Sequence, residues 1–206
     1  RAYDLYLKVF ADALPTAPAA QIERKDIVLL LDTMADRPAA ANLLLGTIGA
    51  LYFWGRDRGH VTADPTKDIE RFEMGEHEPW PEDLVQAALD SEDETVRLAV
   101  HLLYFTAQRI SDVCAMQWTD LRGDRIAVRQ QKTGKVLDIP LHSKLRDLLA
   151  ATPKQGLVFL AKDDGTALGA ARIRLALKAW TRKQKGEVAA HGLRKNAVNK
   201  LLEVVC

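Results

Sequence analysis

Apolar residues in the first seventy positions recur with a helical period. Ile27, Leu30, Leu31 and Met34 stand at i, i+3, i+4 and i+7 and predict an amphipathic helix over 24–35. Pro38 suits the first turn of a second helix. That helix is expected to run to about Trp54, with Leu44, Ile48, Leu51 and Tyr52 on one face. The polar, glycine-flanked stretch from Gly55 to Gly59 should end it, and Asp64-Pro65 marks a turn. Short helices of this kind can wrap DNA or merely pack together, and the residues alone favour packing. From Phe72 to Pro81 the period disappears, and acid, Gly and Pro dominate. A helical unit is therefore predicted at 1–74, a linker at 75–81 anchored by Trp80, and a second unit at 82–206.

The second unit opens with a helix from Glu82 to about Leu89, acidic in its first turn. Ser91 is placed to cap the next helix, with Glu94 three residues on. Val96 to Phe105 is apolar nearly all round, the mark of a buried helix. It would deliver Arg109 to the edge of a core, where a guanidinium needs an anion. Asp112, three residues later, can orient it if the helix continues; read alone, the two form a local ion pair. After Trp118 the period becomes two. Arg125–Arg129 and Val136–Pro140 alternate around Gln130-Gln-Lys132-Thr-Gly134-Lys135, a hairpin pattern with Gly in the turn. Leu157–Leu160 is a candidate third strand. Ser143–Leu149 is a candidate helix with Ser143 as its cap.

Two helices close the chain. Leu168–Arg182 turns Ile173, Ala176, Leu177 and Trp180 inward and shows Arg174, Lys178 and Arg182 at steps of four. Lys183 and Lys185 extend this stripe, which fits phosphate contacts along a groove or a plain solvated face. In Ala190–Glu203, His191 and Arg194 share a face near the helix start, where an anion is favoured. Leu193, Ala197, Leu201 and Leu202 are expected inward. The fold class is thus mainly α with a small antiparallel β-sheet.

Composition narrows the class of protein. A chain of 206 residues suits one large domain or two small ones, and 48% hydrophobic with 28% charged residues is ordinary for a globular protein. No apolar run approaches the roughly 20 residues of a membrane span, and no signal peptide is visible. The chain opens without Met and is expected to be a fragment. Cys114 and Cys206 have no metal-ligand spacing, nor do the His and Asp residues, so no metal is implied; a reducing compartment is the simplest inference. Charge is uneven. Residues 1–78 hold 9 basic and 13 acidic side chains, a net of −4, and residues 79–206 hold 20 and 15, a net of +5. The C-terminal part is the one suited to a polyanion.

Three signals occur in order: Gln108-Arg109-Ile-Ser-Asp112 with Trp118-Thr-Asp-Leu121, Lys132-Thr-Gly-Lys135 with Ile139-Pro-Leu141, and His191-Gly-Leu-Arg194. Together they resemble the tyrosine recombinase/integrase family of site-specific recombinases: its first arginine box, its hairpin lysine and its His-x-x-Arg box. The resemblance covers the whole chain and implies a helical core-binding domain followed by an α+β catalytic domain. It implies cutting and rejoining of double-stranded DNA through a 3′-phosphotyrosyl link, with no cofactor because that link conserves the bond energy. Arg109 and Arg194 would clamp the non-bridging oxygens, and Lys132 would protonate the leaving 5′-oxygen, with Lys135 the weaker candidate. His191 would donate to the phosphate or take the tyrosine's proton, and Asp112 would hold Arg109. Arg174, Lys178 and Arg182 would bind DNA. The resemblance also implies a tetramer on two duplexes and a cytoplasmic, nucleoid-associated protein of bacterial or phage origin, with no membrane partner.

The resemblance is incomplete. Tyrosines stand at 3, 6, 52 and 104, all before the His-x-x-Arg box, whereas the family's nucleophile and final helices follow it. The 206 residues are expected to bind DNA without cleaving it. Rival expectations are a DNA-binding regulator that has lost catalysis, a type IB topoisomerase-like nicking enzyme, and a helical protein unrelated to DNA.

Overall fold

The structure, a computed structural model, describes residues 2–186 and 188–205, and only the backbone of Ala2, Val204 and Val205. Cys206 lies outside the described residues. The chain divides into two compact units between Glu76 and His77, each with its own apolar core.

In the first unit, α1 (Ala2–Ala13), α2 (Arg24–Asp32) and α3 (Pro38–Asp57) enclose Phe10, Ile27, Leu31, Leu44, Ile48 and Tyr52. α2 starts with a capping box in which the Glu23 amide donates to Asp26 at 2.9 Å. The helix expected to stop near Trp54 continues to Asp57, so Gly55 lies inside it. Its missing side chain admits Val61, whose Cγ2 would lie 3.1 Å from an added Cβ. The break comes at Gly59, with φ of +72°. The tail then packs back: Asn42 pairs with both backbone groups of Phe72, each at 2.9 Å.

The second unit is organised around α5 (Glu94–Thr106), whose Val96, Leu98, Val100, Leu102 and Leu103 are all buried. It packs against α4 (Glu82–Leu89), α7 (Ser143–Ala151), α8 (Ala170–Lys183) and α9 (Ala190–Val205). Two caps differ from expectation. Asp93, not Ser91, caps α5 by accepting from the Val96 amide, because Ser91 is buried and accepts from the Asp93 amide instead. His142, not Ser143, caps α7 through the Lys144 amide.

The hairpin strands fall as predicted, β2 at Arg125–Arg129 and β3 at Val136–Pro140, with Ile126 opposite Ile139. The third strand is a correction. It is β1, Leu121–Arg122, paired with β2. Val158 makes only an isolated bridge to Gln117, because the following backbone turns away to pack Phe159 and Leu160 into the core. Leu201 and Leu202, expected inward, are 61% and 56% exposed. The buried face of α9 ends at Ala197. No helix of the described residues is long and apolar enough to cross a membrane.

Candidate functional site

α5 ends at Thr106 because Ala107 adopts the left-handed conformation, with φ of +53°. A non-glycine residue there costs about 1 kcal/mol, and the break redirects the chain. The helix does not continue through Arg109, the condition on which the i+3 orientation by Asp112 was expected. Arg109 becomes the N-cap of a short new helix, α6 (Ile110–Val113), and its carbonyl accepts from the amides of Asp112 and Val113, each at 2.9 Å. Its side chain remains 32% exposed.

That side chain lines a cleft of about 420 Å³ with Arg174 from α8, His191 and Arg194 from α9, and His77 from the segment before α4. Leu103, Ile110 and Ala190 supply apolar walls. Nη1 of Arg109 and Nη1 of Arg194 are both buried, and neither has a hydrogen-bond partner among the described residues. Such groups normally find partners, since a buried unpaired donor is costly and a charged one more so. Asp112, with no exposed side-chain surface, sits 4.0 Å from Arg109 Nη1. One carboxylate cannot balance this much positive charge.

The field is felt by the groups in it. Burial is the main reason that His191 is held below the ordinary histidine value, and His77, Arg194, Arg109 and Lys195 add to the effect. Arg194 is lowered chiefly by burial and then by Arg109, with Asp112 opposing. The cleft therefore concentrates positive potential in a partly dry setting, which suits a tetrahedral oxyanion with two or more acceptor oxygens.

The hairpin is tied to this cleft from the side. Asp112 accepts from the Gln131 amide at 2.9 Å, Gln131 Nε2 donates to the Ser111 carbonyl at 3.1 Å, and Gln130 Nε2 donates to Gln108 Oε1 at 2.9 Å. Lys132 follows directly. It is exposed at the tip and does not line the cleft, and neither does Lys135. Lys178 and Arg182 also stand outside it. They share an adjoining groove of about 360 Å³ with Arg174, Gly186 and Ala190, so Arg174 borders both spaces.

Sequence reasoning missed several of these groups. His77 lay in a stretch without periodicity, and no local pattern signals it. Gln108, Gln130 and Gln131 sat inside or beside the motifs, but a glutamine's partner across the fold is invisible in one dimension. Among the described residues no group of His, Cys, Asp and Glu could hold a metal ion. Cys114 is an inert thiol, pushed up to about 11 by burial. Tyr104, half-buried on α5, does not line the cleft.

The comparison with known proteins places this helical scaffold with its one three-stranded sheet in a family. Residues 81–205 match the phage integrase family, over more than half of the chain, and the chain belongs to that family, the tyrosine recombinases. Over 143 residues it is 29% identical to the integrase of Enterobacteria phage 434, a match covering 65% of this chain and 39% of that one. The integrase of Escherichia phage lambda is 28% identical over the same shares. The chain thus spans about two fifths of the length of these curated relatives. Its fold superposes on a lambda integrase tetramer bound to a Holliday junction with a TM-score of 0.81 and 25% identity, covering 96% of this chain and 65% of that one. A Tn1549 transposon integrase in complex with circular intermediate DNA gives 0.75 at 15% identity, covering 98% and 79%, a likeness of fold alone.

Proposed function

We propose that this chain is the DNA-gripping part of a site-specific recombinase that cuts and rejoins duplex DNA through a 3′-phosphotyrosyl intermediate. One observation carries the reading: Arg109 and Arg194 line one cleft, and each keeps a buried guanidinium Nη1 with no hydrogen-bond partner among the described residues. Planar donors that stay charged at any working pH fit the non-bridging oxygens of a phosphodiester, where charge grows in the transition state. Asp112 holds Arg109 and, through the Gln131 amide, also holds the hairpin. Lys132 at that tip protonates the departing 5′-oxygen when DNA draws the hairpin in. His191 donates to the phosphate or accepts the nucleophile's proton. The attacking hydroxyl is none of the four tyrosines here, so these 206 residues bind DNA without cutting it. In the full-length protein four copies act on two duplexes, as the tetrameric form of lambda integrase suggests, in the cytoplasm.

Covalent trapping on a nicked suicide duplex tests this. The full-length protein should form a phosphotyrosyl adduct and the 206-residue chain should not. Arg109→Ala or Arg194→Ala should lower adduct formation about 10²–10³-fold, the usual cost of one oxyanion donor, while duplex binding largely survives. An adduct formed by the 206 residues, or equal losses of binding and cleavage, would overturn it.

A further inference from the structure

The segment carrying His77 is unusually well fastened for a stretch so rich in Glu, Gly and Pro. Trp80 is 2% exposed. Its indole N–H donates to the Ala189 carbonyl, its amide donates to Asn196 Oδ1, and Asn196 Nδ2 donates back to its carbonyl, each at 2.7 Å. Gly192 completes the fastening. An added Cβ there would collide with the Glu78 carbonyl and stand 2.8 Å from Trp80 Cδ1. Residues 77–80 thus form a strap pressed onto the first turns of α9, the turns that present His191 and Arg194.

The strap brings one imidazole to the cleft. His77 is the one basic residue between Phe72 and Pro81, and it lines the cleft. Its ring centroid stands 5.4 Å from that of His191, with the planes tilted at 58°. The basic groups that line the cleft with it are Arg109 from the start of α6, Arg174 from α8, and His191 and Arg194 from α9. Cations gathered this closely repel one another, and an anion lying among them relieves that repulsion.

We propose that His77 is an anion contact of the cleft, a fifth basic group supplied by the strap and not by any of the three motifs. It binds the same phosphodiester as Arg109 and Arg194, and the inference rests on the phosphate reading of that pair. Trp80, Gly192 and Asn196 are the positioning residues that hold it there. Loss of the imidazole should weaken the contact, and a permanent positive charge at this position should strengthen it.

Sulfate is the probe, because its charge is constant between pH 6 and 8 and a single tetrahedral anion reports on the cleft alone. The 206-residue chain is titrated with sodium sulfate while side-chain histidine and arginine resonances are followed by NMR. His77, His191 and Arg194 signals should move together, with affinity higher at pH 6 than at pH 8. His77→Gln should weaken sulfate about threefold at pH 6, the scale of one partly solvated ionic contact. His77→Lys should bind sulfate more tightly at pH 8 than the wild type does. The imidazole is exposed, so both variants should melt with the wild type. If His77→Gln overlays wild type at both pH values while Arg194→Ala abolishes the response, the His77 contact is refuted and the phosphate clamp stands. If Arg194→Ala still binds sulfate, the clamp itself fails and takes the inference with it.

Discussion

His101 shows what burial does to a histidine whose one nearby carboxylate, Asp90, is too weak an influence to offset it. It is 7% exposed inside α5, its Nδ1 lies 2.9 Å from the Arg97 carbonyl, and burial is the main cause that lowers its affinity for protons. Above the ordinary histidine value both folded and unfolded chains are neutral there, and the fold keeps its full stability. As pH falls through that value the unfolded chain takes up the proton first, so stability is lost on acidification. Thermal melts at pH 7.5 and 5.5 should show a larger loss for wild type than for His101→Gln; equal losses would place the acid sensitivity elsewhere. At this scale the motif residues were legible, because Arg109, Asp112, His191 and Arg194 are chemically distinctive at fixed spacing. The rotation of Arg109 was not. It depends on one backbone angle at Ala107, a residue with nothing unusual in its side chain.

Among elements, α8 bears the clearest division of labour. Ile173 and Leu177 are buried, and Arg174, Lys178 and Arg182 stand exposed on the opposite face. They border the groove that continues from the cleft. Substituting each with Ala should weaken duplex binding and lower the slope of log affinity against log salt by about one for every phosphate left without its cation. An unchanged slope would make the face merely solvated. Strong periods were readable in advance, which is why β2, β3 and the inward faces of α2, α3 and α8 match expectation. Weak ones were not. Leu157–Leu160 is apolar and short enough for a strand, yet its backbone partners are mostly tertiary, and two-residue β1 has too few positions to show alternation. The outward Leu201 and Leu202 follow the helical period faithfully, but a period cannot say where the surface that would cover them ends.

The whole molecule is two cores on one chain. The first comprises Phe10, Ile27, Leu44, Ile48 and their neighbours; the second is centred on α5. A fragment of residues 77–206 should therefore fold by itself, with a cooperative urea transition and the tertiary circular dichroism of its tryptophans. A fragment that begins at Glu82 lacks the strap and should be less stable by about 1–3 kcal/mol, because Trp80 is no longer there to bury and the Asn196 amide is unpaired. Equal stability of the two would mean that the strap contributes nothing to the fold. The two-unit layout was visible from the acid- and glycine-rich break. That the second unit begins before its first helix was not, because no period marks residues that are held by hydrogen bonds to a distant helix.

Trp80 makes this fastening observable with light. With Trp54, Trp118 and Trp180 changed to Phe, the remaining indole would sit in a dry site against α9 and emit at short wavelength. A shift toward red on mixing with DNA would report that the ring had left its seat, and an unchanged spectrum would show that the fastening holds.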